Sequence, residues 1–242
     1  MKMKNLLIGG MSLALVACIS VGATLAYLTA KTDTITNTFT VGAGYEDNVL
    51  TLDETKVTEK DGVKENPTAI GGKGERTSEN QTYAPINIGD QFVKDPTFHV
   101  AANSASSYVF AKVTGVDELV AKDFVVSASL PTNKDVKVTG IDEHWVKVAN
   151  ENGSVPVDDS KLDGYYRYNA VVATSKEATD LPALFNTIVL PATVENMPNL
   201  GEKGMSINVA GAIIQSENLD ESTALTEVLK IEGFGTAASA VD

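Results

Sequence analysis

The stretch YYRYNAVVA, residues 165–173, is one of the short strand-like runs that decide the fold class of this chain. Because successive side chains of a β-strand point to opposite faces, we expect Tyr166 and Tyr168 on one face. Tyr165 and Arg167 would then lie on the other face. We interpret the tyrosines as large side chains that fill a sandwich core and its edge, and an aromatic binding platform is the alternative.

Similar short apolar runs recur along the chain, separated by turn-forming breakers such as Lys94-Asp95-Pro96. The runs are residues 49–52, 97–101, 107–114, 124–130, 136–139, 145–148, 187–194 and 205–215. Many short strands with little helix predict a mostly β protein, specifically a jelly-roll-like antiparallel β-sandwich with a few short helices. The helices are expected at residues 117–122, 181–185 and 220–231, the last behind an Asn218 cap.

The domain boundaries follow from composition. Residues 53–82 are charged, contain four glycines and lack aromatic side chains, so we interpret them as a polar loop or insertion with room for a short hairpin. Residues 233–242 are mostly small and are expected to form a disordered tail. A single β-sandwich domain is therefore predicted at residues 27–232, and its only tryptophan, Trp145, is expected to be buried.

The N-terminus has the pattern of a secretory signal peptide, residues 1–26. Two lysines precede a charge-free apolar run, and the small residues Thr24 and Ala26 suit the −3 and −1 positions of a cleavage site. Cleavage would make Tyr27 the new N-terminus. Two alternatives stay open: the run could be a retained membrane anchor, or the lipobox-like LVAC could direct lipidation of Cys18.

Composition narrows the function classes. Cys18 is the only cysteine, so the cleaved chain could form no disulfide and could not use a thiol nucleophile. The formal net charge is −13, and removal of a signal with two lysines and no acidic residue makes it −15. Such a charge disfavours nucleic acid and anionic membranes as partners, because both would repel the protein.

The motifs of common catalytic sites are absent from the sequence. There is no His-Glu-x-x-His zinc motif, no Gly-x-Ser-x-Gly elbow and no phosphate-binding loop. His99 is interpreted as a surface-facing strand residue and His144 as a polar strand start. The segment 158–164, which contains three aspartates, has clustered oxygens that could hold Ca²⁺. Its spacing does not match an EF-hand, and we favour an acidic turn. We therefore predict no catalytic residue, no metal site, no cofactor and no enzymatic activity.

Behind the predicted cleavage site, residues 34–41 read TITNTFTV. The alternation places Ile35, Phe39 and Val41 on one face of a strand and threonines on the other.

Four segments resemble the TasA/camelysin-like proteins, which Gram-positive bacteria export through a dedicated signal peptidase of the SipW type. They are GATLAYLTAKTDTITNTFTVG with Asn37, Phe39 and Gly42, the Lys-Asp-Pro block at residues 88–113, HWVKV…DGYYRYNAVV, and INVAGAIIQSEN. The resemblance implies a jelly-roll domain, secretion and, for the best-known relatives, fibres in a biofilm matrix. Some relatives carry a metalloprotease label, which is not carried over because the zinc motif is missing.

These observations predict a secreted structural protein of the cell surface or biofilm matrix that self-assembles into fibres by donating its N-terminal strand. Ile35, Phe39 and Val41 are the candidate side chains that fill pockets on a neighbour. The alternative for the segment is an ordinary first strand of its own domain. A secreted hydrolase and a surface adhesin or ligand-binding module are the alternative functions. The expected partners are further copies of the chain or other matrix proteins, with the signal peptidase during export and no nucleic acid.

Overall fold

A computed structural model describes residues 29–31, 48–68, 74–129, 140–173, 176–201 and 204–235. Within these residues the protein is mostly β, with several antiparallel sheets and two short helices, which confirms the predicted fold class. The jelly-roll arrangement itself stays a prediction.

The described strands form four antiparallel sheets. The strands are β1 Thr29–Lys31, β2 Leu50–Thr55, β3 Thr58–Lys60, β4 Val63–Glu65, β5 Arg76–Thr77, β6 Gln91–Val93, β7 Thr97–Val100, β8 Ser107–Thr114, β9 Val125–Ser127, β10 Trp145–Asn150, β11 Gly164–Tyr168, β12 Thr179–Asp180, β13 Thr187–Val189 and β14 Asn208–Gln215. The largest sheet has the order β1-β14-β8-β11-β10. A four-stranded sheet runs β12-β7-β2-β5, a three-stranded sheet runs β6-β13-β9, and β3 and β4 form a hairpin.

The central strands of the five-stranded sheet, β8 and β14, are covered on both faces. On β8, Val109 and Ala111 point into an inner core that is shared with the four- and three-stranded sheets. Tyr108 and Phe110 point the other way, into a second core under the C-terminal helix. This alternation explains why β8 has almost no exposed residue, because a strand covered on both faces must be apolar on both.

The tyrosine alternation predicted for β11 is confirmed. Tyr166 and Tyr168 belong to the inner core, whereas Tyr165 packs in the helix-side core. Trp145 on β10 is buried as expected, and its Nε1 donates a 2.8 Å hydrogen bond to the carbonyl of Pro182. A break in the β10–β11 register lies between residues 147 and 149, which turns the following residues of β10 toward the helix side.

Two helices are described, α1 at Val116–Val120 and α2 at Glu221–Val228. The predicted cap of α2 is wrong by two residues: the side chain of Asp220, not Asn218, accepts a 2.7 Å hydrogen bond from the Thr223 backbone N–H.

The helix predicted at residues 181–185 is also wrong. These residues form no helix, and the backbone N–H groups of Leu181 and Leu184 donate to the carbonyls of Phe98 and Pro96 instead.

The disordered tail predicted at residues 233–242 is wrong at its start, and residues 236–242 lie outside the described part of the chain. Phe234 is fully buried, its ring centroid lies 5.5 Å from that of Tyr165, and its carbonyl accepts a hydrogen bond from the Tyr165 hydroxyl. The described chain therefore continues as part of the helix-side core to Gly235.

The polar insertion at residues 53–82 is only partly a loop. It begins inside β2, it contains the β3–β4 hairpin, and it returns to pair β5 with the end of β2. Arg76 on β5 is thereby brought onto the four-stranded sheet.

Candidate functional site

Among the described strands, the N-terminal strand β1 forms an edge of the five-stranded sheet. It pairs antiparallel with β14, and the register partners are Thr29–Ile214, Ala30–Ile213 and Lys31–Ala212. On its other side, β14 pairs with β8 along all eight of its residues. The strand that begins two residues after the predicted cleavage site is therefore an edge strand of a sheet that is otherwise well paired.

The residues predicted for processing and donation lie outside the described part of the chain. These are the cleavage residues Thr24, Ala26 and Tyr27, the alternative lipidation site Cys18, and the donor side chains Ile35, Phe39 and Val41. Their predicted roles stay predictions.

Two oppositely charged residues form an ion pair in the interior. Lys94 Nζ lies 2.6 Å from Glu54 Oε2, and the two side chains are only 7% and 6% exposed. Gln81 Nε2 donates a 2.8 Å hydrogen bond to the other oxygen of Glu54. A buried charge is costly unless it is paired, so each side chain depends on the other for its place in the core.

A second polar cluster lies beside this pair. Both oxygens of the buried Asp95 carboxylate accept hydrogen bonds from Thr55, one from its backbone N–H and one from its hydroxyl. Arg76 donates to Asp95 at 2.8 Å and to Asp53 at 2.6 Å. The arginine therefore connects the end of β2 to the turn before β7.

His99 on β7 lies between two carboxylates. Its ring nitrogens are 2.9 Å from an oxygen of Asp53 on β2 and 2.7 Å from an oxygen of Asp180 on β12. The hydrogen bond to Asp53 is the main cause that raises the pKa of His99, and it outweighs burial. Burial opposes the charged form of Asp53, but hydrogen bonds from His99 and Arg76 outweigh it and lower the pKa of that carboxyl. His99 is thus a partly exposed strand residue, outside the core that contains Phe98 and Val100, and it connects three strands.

A cavity of about 680 Å³ opens beside the Glu54–Lys94 pair. Its apolar wall includes Phe92, Phe124 and Ile188. The Tyr83 hydroxyl is buried at this cavity, and it has no hydrogen-bond partner among the described residues. We call this space the Tyr83 cavity.

The candidate metal ligands serve structural roles in the structure. Asp163 accepts hydrogen bonds from the backbone N–H groups of Gly115 and Val116 at the start of α1, and Asp158 accepts from Ser160 within its own turn. His144 contacts Asp142 at 2.7 Å just before β10. Within the described ranges, no three His, Cys, Asp or Glu side chains are placed to hold a metal ion.

Sequence reasoning missed the role of the buried polar residues. Lys94 and Asp95 were interpreted as a turn-forming breaker, yet both are buried and each has a partner of opposite charge. Their position between Phe92-Val93 and Pro96-Thr97-Phe98 could have predicted their buried pairing, because charged residues inside an apolar run need partners.

Among the residues that the structure describes, no helix is long and apolar enough to cross a membrane. No family model matches the chain, and no curated protein and no solved structure matches it. The TasA/camelysin-like resemblance therefore stays a hypothesis that depends on the four sequence segments.

Proposed function

We propose that this protein is a secreted structural component of the cell surface or biofilm matrix, which assembles by passing its N-terminal strand to a neighbouring copy. The observation that carries the proposal is the position of β1 at the edge of the five-stranded sheet, paired with β14. Signal cleavage before Tyr27 would free the chain end directly in front of this strand.

The physical argument is that an edge strand can be exchanged at little cost. The backbone pairing that β1 makes with β14 in one chain can be reproduced by the β1 of another chain. Each chain then gives one strand and receives one. If the exchange runs head to tail and the rotation between copies does not close a ring, the product is a filament.

The high negative charge is compatible with this role. The net charge of −15 on the chain that begins at Tyr27 keeps single chains soluble and opposes unspecific aggregation, so association must depend on a specific contact such as strand pairing. The resemblance to the TasA/camelysin-like proteins supports the same conclusion independently of the geometry.

Cysteine trapping tests the exchange directly. Lys31 and Ala212 are register partners, and the chain that begins at Tyr27 contains no cysteine of its own. One preparation carries Lys31→Cys and another carries Ala212→Cys; the two are mixed under assembly conditions and oxidised. Strand exchange predicts a disulfide between the two different chains, and repeated exchange in the double variant predicts a ladder of covalent oligomers.

Val146→Cys, combined with Lys31→Cys, is the matched control. Val146 is an exposed residue on β10, the opposite edge of the same sheet, so it should not form a bond with β1 of another chain. If the double variant Lys31→Cys/Ala212→Cys yields only internally linked monomers in samples that contain fibres, the strand is not the element that joins the copies. Electron microscopy of the same samples reports whether fibres exist at all.

A further inference from the structure

We propose that the Tyr83 cavity is a binding site for a small amphipathic monocarboxylate, with the acid group held by Tyr83 and Lys94 and the apolar body against the wall of the cavity. This site is separate from the β1–β14 edge and does not depend on fibre formation.

The size and lining of the cavity suit an organic ligand. A volume of about 680 Å³ lies within the range of about 300–1,000 Å³ that is typical of small-molecule sites. The apolar wall is made by side chains from separate parts of the chain: Phe92, Leu119, Phe124, Ile188, Met205 and Ile207. An apolar ligand body would gain free energy by leaving water for this surface.

Two side-chain groups at the cavity have hydrogen-bond donors that are not all satisfied by acceptors of the described residues. The Tyr83 hydroxyl is buried without a partner in the described part of the chain, and a buried unpaired hydroxyl costs about 1–3 kcal/mol. The ammonium of Lys94 carries three donors, and Glu54 is its only hydrogen-bond acceptor among the described residues. Both groups could be satisfied by the oxygens of one carboxylate.

The orientation of Tyr83 is held by its neighbours. Its ring centroid lies 4.9 Å from that of Phe92, and Lys94 Nζ lies 5.5 Å from the centre of the tyrosine ring. Burial, together with the charges of Glu54 and Asp95, raises the pKa of the hydroxyl, so it keeps its proton and can donate at neutral pH.

The charges on the wall can accommodate one anion. Among the described residues, the ionisable side chains of the wall besides Tyr83 are Glu54, Lys64 and Lys94, so cations exceed anions by one in a protein that is strongly negative as a whole. Asp95, which lies close behind, forms an ion pair with Arg76, and it shares this arginine with Asp53. A bound monoanion would share the Lys94 ammonium with Glu54, and the exposed Lys64 is the second cation of the wall.

Calorimetric titration of the chain beginning at Tyr27 tests the site with three probes of equal chain length: decanoate, decanol and decylamine. We expect saturable binding of one decanoate per chain, weaker binding of decanol and the weakest binding of decylamine. Tyr83→Phe removes only the hydroxyl and should lower the affinity for decanoate about tenfold, with a smaller effect on decanol.

Tyr166→Phe is the matched control, because the Tyr166 hydroxyl donates to the Leu162 carbonyl away from the cavity, and its loss should leave decanoate binding unchanged. Met205→Trp should block all three probes by filling the cavity, provided that circular dichroism shows the native fold. The proposal is overturned if decanoate shows no saturable binding, if decylamine binds as well as decanoate, or if Tyr83→Phe binds like the parent. In the first case the cavity does not accept a monocarboxylate of this length.

Discussion

At the residue scale, the side chains that allow the most direct tests of stability are charged groups that lie inside or at the edge of the β-structure. His99 connects β7 to β2 and β12, and Lys94 pairs with Glu54 inside the protein. Both arrangements join segments that are distant in sequence, so they contribute to stability only in the folded state. Their ionisation makes that contribution measurable.

The His99 contacts predict a specific pH dependence. The pKa of His99 is raised above its ordinary value of 6.5, so its stabilising contribution is fully present below pH 6.5 and is lost as the pH rises through the folded pKa. The pKa of Asp53 is lowered, so its contribution is present above its ordinary value of 3.8 and is lost as the pH falls through the folded pKa. Both contributions are complete between these two ordinary values.

His99→Asn should therefore lower the free energy of unfolding by about 1 kcal/mol near pH 5, and by less at pH 8 and above. Urea unfolding at several pH values measures the difference between the variant and the parent. A difference that stays constant from pH 5 to pH 9 would contradict the charged contact with Asp53.

The buried ion pair gives a second prediction. Lys94→Met leaves Glu54 buried without its cationic partner, and breaking a buried pair in this way costs about 3–5 kcal/mol. The double variant Glu54→Gln/Lys94→Met removes both charges and should recover most of the loss, because Gln81 can still contact the amide. Chemical unfolding of the three proteins measures the coupling, and a double variant as unstable as Lys94→Met would show that the pair is not the cause.

At the element scale, the C-terminal segment acts as the cover of the five-stranded sheet. Helix α2 presents Ala224 and Val228 to this sheet, and Phe234 packs on Tyr165 beyond the end of the helix. The outer face of β8 and β14 would be exposed without them. We therefore expect this short segment to contribute strongly to the free energy of unfolding.

Two truncations separate the cover from the predicted tail. Removal of residues 236–242 should leave the thermal midpoint unchanged, whereas removal of 233–242 also deletes Phe234 and should cost about 3–5 kcal/mol, as large core truncations do. Differential scanning calorimetry compares the two directly. Equal midpoints would mean that Phe234 contributes nothing to the core.

At the scale of the whole molecule, assembly depends on how the N-terminal strand is shared. The rest of the five-stranded sheet does not require β1 for its pairing, because β14 is paired with β8 along its whole length. A chain without β1 should therefore fold and should be unable to donate a strand.

Deletion of residues 27–41 should give a folded, monomeric protein that does not extend filaments. Phe39→Asp should act in the same direction by placing a charge where the proposed acceptor offers an apolar pocket, and Phe39→Leu is its matched control. Circular dichroism and sedimentation velocity measure folding and assembly separately. An unfolded deletion variant would indicate an ordinary first strand, and a folded variant that still polymerises would exclude this segment from assembly.

The sequence by itself determined the features that depend on local pattern. The period-two alternation of Tyr165–Tyr168, the burial of Trp145 and the presence of a helix before the C-terminus were all predictable, because they follow from spacing and side-chain type over a few residues. The same reasoning failed at residues 181–185, where the spacing of Leu181 and Leu184 is compatible with a helix. In the structure, their backbone N–H groups donate to the carbonyls of Phe98 and Pro96.

Only the tertiary structure decided the order of the strands and the polar contacts between them. Glu54 and Lys94 are 40 residues apart and His99 and Asp180 are 81 apart, so no local periodicity relates them. The Tyr83 cavity likewise forms where separate segments converge. Such sites depend on which strands become neighbours, and that choice is made by the burial of the whole set of apolar faces rather than by any one stretch of sequence.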